Sequence, residues 1–182
     1  MSDTADRYRK LAAAFTAKVE SVPDDRWTSA TPCSDWTARD LVRHVVDTQG
    51  LFLGFVDRTL PDSVSVDDVP VAAWSSARDV VQAGLDDPAV ATMEYDAFGG
   101  RSTFEKGVGT FLCADLVVHG WDLARATGQD ESMDLAEVSR VRTDMAKMGD
   151  MLRSPGAFGP EVAAPDGADE QSELLAFLGR HP

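Results

Sequence analysis

The sequence predicts an all-α protein, a four-helix bundle with at least one long crossover. Three observations lead there. Apolar residues recur at three- and four-residue steps over four long stretches, the period of an amphipathic helix. Residues 59–102 separate the second stretch from the third, too many for a simple helix–helix turn. The 182 residues suit one domain, able to bury roughly two-thirds of the surface its unfolded chain exposes.

The first helix is expected from Thr4 to Glu20, where Tyr8, Leu11, Ala12, Phe15 and Val19 share a face. Val22-Pro23-Asp24-Asp25 stops it, and a loop carries Trp27 and Thr31-Pro32-Cys33. The second begins at Trp36-Thr37. Thr37 suits an N-cap, and Asp40 falls in the first turn, where a carboxylate suits the helix dipole. A wide stripe from Leu41 to Phe55 carries this helix to about Arg58 and predicts that it is mostly buried. Leu60-Pro61-Asp62 through Pro70 reads as an acidic loop, and an extra helix follows from about Val71 to Gly84. Residues 91–104 read as a short extended excursion or hairpin, turning at Phe98-Gly99-Gly100-Arg101. The third long helix is expected from Thr103 to Ala126, with Gly128 placed to end it. The fourth runs from about Asp134 to Leu152, using Leu135, Val138, Val141, Met145, Met148 and Met151 as its core stripe. Beyond Ser154-Pro155-Gly156 the chain is loop-rich, with a short helix near Glu173–Leu178.

Charge narrows the function. Lys and Arg number 17 against 31 Asp and Glu, a formal net charge of −14. Such a field repels polyanions, which argues against nucleic acid and against an anionic membrane surface as partners. No stretch approaches the roughly 20 apolar residues of a membrane helix. The polar start, Met1 to Lys10, reads as cytoplasmic. Cys33 and Cys113 could form one bridge at most, so no disulfide framework holds the fold.

Two of the three histidines lie inside apolar helices, His44 in Asp40-Leu41-Val42-Arg43-His44-Val45-Val46 and His119 in Asp115-Leu116-Val117-Val118-His119. Asp115 and His119 stand four apart, one above the other on a helix face. A carboxylate and an imidazole so placed can grip one ion. The third ligand must then come from another helix, and His44 is the remaining histidine in a core segment. Two imidazoles and one carboxylate suit Zn²⁺, Ni²⁺ or Fe²⁺ and leave positions open for substrate. The plainer reading is a hydrogen-bonded Asp–His pair with a separately satisfied His44; spacing alone does not separate the two. Asp122 and Arg125, three apart, read either as an ion pair or as functional groups. In the second case Asp122 orients His119 and Arg125 offers an anion site for a cofactor carboxylate. Cys113 reads as a small core residue. Cys33 reads as loop packing, with a ligand or redox role as the alternative.

The residues also carry a resemblance. Trp27 followed by Thr31-Pro32-Cys33-Ser34-Asp35-Trp36-Thr37-Ala38-Arg39-Asp40-Leu41-Val42-Arg43-His44 resembles the opening signature of the mycothiol-dependent maleylpyruvate isomerase-like family, part of the DinB-like metal-binding superfamily. Asp115-Leu116-Val117-Val118-His119-Gly120-Trp121-Asp122-Leu123-Ala124-Arg125-Ala126-Thr127-Gly128 resembles its second signature. Phe158-Gly159-Pro160 with Leu174-Leu175-Ala176-Phe177-Leu178-Gly179-Arg180 is similar to the tail of its short actinobacterial members. The resemblance implies a DinB-like four-helix bundle with a long crossover between the second and third bundle helices. It implies one divalent metal ion on His44, Asp115 and His119. Asp115 stands where the isomerase has Glu, one methylene longer, and the sequence holds no counterpart of the isomerase's extra C-terminal domain.

The function so implied is a cytoplasmic metalloenzyme, an isomerase or transferase. Its metal holds the thiolate of mycothiol, and that thiolate attacks a small electrophilic molecule. The partners implied are a small-molecule thiol and a substrate, with a homodimer suggested by the resemblance. A non-catalytic metal-binding stress or interaction protein and a metal-dependent hydrolase stand as alternatives.

Overall fold

A computed structural model describes residues 2–61, 65–97, 100–154 and 158–182. Helix α1 spans Asp3–Glu20. Ser2 caps it by accepting from the Ala5 amide at 3.3 Å. Helix α2 spans Ala38–Gly54 and opens on a reciprocal capping box. Thr37 Oγ1 accepts from the Asp40 amide, and Asp40 accepts from the Thr37 amide at 3.0 Å. The helix stops at Gly54, short of Arg58, and turns through Asp57 at φ 54°.

Helix α3 spans Pro70–Asp86, with Pro70 at its first position, and α4 is the single turn Pro88–Ala91. Strands β1 (Glu94–Ala97) and β2 (Gly100–Thr103) pair antiparallel, with Tyr95 opposite Ser102. This is the expected hairpin; Phe98 and Gly99 of its turn lie outside the described residues. A continuous helical stretch then runs through α5 (Phe104–Gly107), a π-turn (Val108–Leu112) and α6 (Cys113–Thr127). Gly128 ends it at φ 75°, in the left-handed region where glycine carries no Cβ penalty.

Helix α7 covers Leu135–Ala146, and the chain continues as a 3₁₀ turn over Gly149–Arg153. The stretch expected as one helix to Leu152 is thus broken. Gly149 at φ 54° turns the backbone out of the helix, although the methionine stripe keeps helical spacing through it. Pro155 and Gly156, expected to open the loop-rich tail, lie outside the described residues, as do residues 62–64 of the acidic loop. Helix α8 spans Glu170–Phe177.

The architecture is the all-α bundle expected, but its membership differs. α1 packs against α3 and α6, and α2 packs against the same two, so α1 and α2 sit diagonally opposite. Residues 55–69 form the long connection from α2 to α3. The helix expected as an extra, α3, takes the fourth place. It buries Ala73, Trp74, Ala77 and Val81 and sets Trp74 edge-on to Phe15. Small residues beside one large ring let helices approach closely. Helix α7 lies outside this set and forms a second core with α8, built from Val138, Val141, Met145, Leu174 and Leu178. Among the described residues no helix is long and apolar enough to cross a membrane.

Candidate metal centre

Three elements bring the site together. Helix α2 presents His44, α6 presents Asp115 and His119, and the loop before α2 presents Cys33 and Trp36. That loop is held by a bridge between Ala30 and Thr37 and by Thr31 Oγ1, which donates to the Trp36 carbonyl at 3.0 Å. Asp35 takes φ 66° at its tip, a conformation Asp tolerates better than most residues. The Trp36 ring lies 4.7 Å from the His44 ring, centroid to centroid.

The ring centroids of His44 and His119 stand 5.0 Å apart at 77°. Asp115 lies between them. Its Oδ2 is 3.7 Å from His44 Nε2 and its Oδ1 is 3.9 Å from His119 Nε2. Both distances are too long for hydrogen bonds. They are close to the separation, about 3.4 Å, of two tetrahedral ligand atoms each about 2.1 Å from one ion. All three ligand atoms lie within 4.8 Å of one another.

His119 is 5% exposed, and its other nitrogen settles its tautomer. Nδ1 lies 2.9 Å from Asp122 Oδ2, and Asp122 has no exposed surface. Burial pushes the Asp122 carboxyl up, but the bond from His119 and the Arg180 guanidinium outweigh it and hold it at about 2. An ionised carboxylate only accepts hydrogen bonds, so Nδ1 carries a proton and Nε2, which faces Asp115, is the nitrogen left to ligate an ion. A buried carboxylate behind a histidine is the support that metal-ligating imidazoles use. The donor set therefore fits a divalent ion on His44, Asp115 and His119.

Sequence comparison places this geometry in a family. Residues 8–124 match the family described as the mycothiol maleylpyruvate isomerase N-terminal domain. This chain belongs to that family. Two uncharacterized proteins of Mycobacterium tuberculosis, from different strains, are each 33% identical to it over 185 aligned residues, covering 95% of both chains. No solved structure matches it.

The family match takes in His44, Asp115, His119 and Asp122 but ends before the C-terminal residues that complete the site in this member. Arg180 is one of them. Its Nε and Nη2 donate to the two oxygens of Asp122 at 3.3 and 3.0 Å, and Nη1 donates to the Leu178 carbonyl at 2.9 Å. Nη2 also donates to Cys33 Sγ at 3.4 Å, and Cys33 donates in turn to Asp122. Burial, reinforced by the Asp122 charge, pushes the Cys33 thiol up to about 12, so it stays a protonated donor. Cys33, His119 and Asp122 also lie within ligand distance of one another. The Arg180 guanidinium already supplies the positive charge among them.

Arg125 sits elsewhere. Its guanidinium stacks over Trp121 at 4.7 Å, pairs with Glu131 at 3.2 Å and donates to the His181 carbonyl at 2.6 Å. It is not among the residues lining the cavity at the site, and it does not pair with Asp122. Arg43, beside His44, pairs with Asp40 and Asp67 on the outer face. Cys113 is fully buried in the core, as expected. In the sequence, the one signal that Arg180 carries is its place in the tail that resembles short family members.

The three candidate ligand side chains line a cavity of about 850 Å³. Ligand-binding cavities commonly fall within roughly 300–1,000 Å³.

Proposed function

We propose that this protein is a metal-dependent, thiol-dependent enzyme, an isomerase or transferase acting on a small electrophilic molecule. The observation that carries the reading is the convergence of His44, Asp115 and the Asp122-backed His119 at the wall of a large cavity. Membership of a family described by mycothiol supports mycothiol as the thiol. A divalent ion there supplies positive charge that favours a thiolate over a thiol. The chain's own residues do the rest. Asp122 fixes the proton on His119 Nδ1, Arg180 neutralises Asp122, and the Trp36 ring covers His44. The excess of acidic residues favours capture of a cation over an anion. A cytoplasmic setting, where small thiols stay reduced, goes with this reading.

Metal analysis of purified wild type and His119→Ala tests it. The expected result is close to one equivalent of metal in wild type and a loss of at least tenfold in the variant. Equal, negligible metal in both sinks the metal centre. With Co²⁺ bound, titration with mycothiol should change the visible spectrum as a thiolate joins the coordination sphere. No change at millimolar thiol favours a metal-dependent hydrolase or a non-catalytic metal-binding protein instead.

A further inference from the structure

The cavity beside the three ligand side chains is walled mainly by apolar groups. Leu51, Phe52 and Phe55 reach it from the end of α2, and Phe111 from the π-turn. Met148, Leu152 and Phe158 reach it from the chain after α7, beyond the residues the family match covers. Two of these side chains are also open to solvent, Leu51 at 58% and Phe55 at 39%. Large apolar side chains that both line a cavity and face water mark a binding entrance more often than a solvated surface.

The buried polar groups on the wall are largely committed, while Ser34 and Asp96 stand at its exposed rim. Arg180 spends its guanidinium on Asp122, Cys33 and the Leu178 carbonyl. Thr48 Oγ1 donates to the His44 carbonyl at 2.8 Å. A dicarboxylate substrate entering this space would lose water from both charged ends and regain few hydrogen bonds. That loss costs more than apolar contact returns. A molecule with a long apolar body gives up little and gains the aromatic wall.

We infer that the cavity takes a molecule with an extended apolar body, an aryl or medium-chain acyl group, and a single ligating head at His44, Asp115 and His119. The placement of the head rests on the metal reading above; recognition of the body rests on the wall alone.

Straight-chain carboxylates of six, eight and ten carbons test this by calorimetry against the Zn²⁺-loaded and the metal-free protein, below their micellar concentrations, with maleate as the comparison. The protein's negative charge opposes every member equally, so the dependence on chain length is undisturbed. Affinity should rise about fourfold per added methylene. The heat-capacity change on binding should grow more negative with length. Leu51→Asp and Phe55→Asp put a charge at positions already open to water, and each should weaken decanoate binding at least tenfold with an unchanged circular dichroism spectrum. Should Phe55→Asp unfold, Leu51→Asp still decides. A flat series, or maleate binding more tightly than decanoate, overturns the inference while zinc retention leaves the metal reading standing. A chain-length dependence that persists in a protein unable to hold zinc keeps the apolar site and removes the metal reading. Absence of binding in a protein that sediments as a dimer, dissociated by Leu51→Asp, assigns the wall to a second copy and also overturns it.

Discussion

Asp122 concentrates the electrostatics of the site in one carboxylate with no exposed surface. It accepts from His119, from two nitrogens of Arg180 and from the Cys33 thiol. Because its folded-state pKa is held down at about 2, folding favours the ionised form. The stabilisation is fully present above the ordinary carboxylate value, about 3.9, and is lost as pH falls through about 2. The contribution of Asp122 to the stability of wild type should therefore be lost mainly between those values. Arg180→Met leaves a buried charge without its partner, which typically costs about 3 kcal/mol. It should lower the denaturant midpoint at pH 7 and move acid unfolding to higher pH. An unchanged acid midpoint would mean that Arg180 does not hold Asp122 ionised. Asp122→Asn tests the other side of the network. Metal affinity should fall by about 10- to 100-fold, the usual effect of removing the group behind a ligating histidine. Competition with a chromogenic chelator measures it. At this scale the ligand candidates were legible because Asp115 and His119 sit one helical turn apart, and the turn is fixed by geometry. Arg180 and Cys33 were not, because they meet 147 residues apart through tertiary packing alone.

Helix α2 begins at a capping box seven residues before His44, and that box fixes where the helix starts. Thr37→Ala removes the side chain that accepts from the Asp40 amide. It should cost about 1 kcal/mol, read as a lower denaturant midpoint. The other decisive element is the π-turn between α5 and α6. The Gly109 carbonyl, within the widened turn, accepts from Arg7 Nη1 at 2.5 Å, and Arg7 also grips Glu137 of α7. One side chain thus ties α1, α7 and the π-turn together. Directly before the turn, Gly107 lets the backbone pass the Tyr95 ring. A Cβ there would fall against Tyr95 Oη and 2.9 Å from Phe52. Tyr95 cannot easily yield, because it is buried and stacked on Phe55 at 4.7 Å. Gly107→Ala should therefore destabilise by about 1–3 kcal/mol despite the better helix propensity of alanine. Adding Tyr95→Phe should recover part of that loss. Full additivity of the two would refute the contact. Periodicity and caps made α1, α2 and the Gly128 stop readable beforehand. The π-turn escaped because it shifts backbone hydrogen bonds without changing the apolar pattern. The break at Gly149 escaped because the methionines keep helical spacing across it. Periodicity identifies the buried face of a helix but not its neighbour, so the pattern did not reveal α3 as the fourth bundle helix.

Across the whole molecule the charge excess, a formal net charge of −14, acts in two opposite ways. Compaction brings those carboxylates together, and their repulsion opposes folding. The surface pairs, such as Arg9 with Asp86 and Lys10 with Asp134, offset little of it, since exposed pairs contribute about 0–1 kcal/mol. Screening shortens the reach of charge from about 30 Å at 10 mM salt to about 10 Å at 100 mM. It weakens the many repulsions more than the few attractions. The melting temperature should rise by roughly 2–4 °C over that range, equivalent to about 1 kcal/mol for a chain of this size. A fall would mean that the surface pairs dominate. The same field would draw a divalent cation toward the candidate site at long range, and the same salt would remove that pull. The rate of Co²⁺ capture, followed by stopped-flow absorbance, should drop as the melting temperature climbs. His44→Ala and His119→Ala remove candidate ligands and leave the excess of carboxylates untouched, so they should abolish capture yet keep the salt dependence of melting. If salt changed both observables in the same direction, long-range charge could not be the common cause.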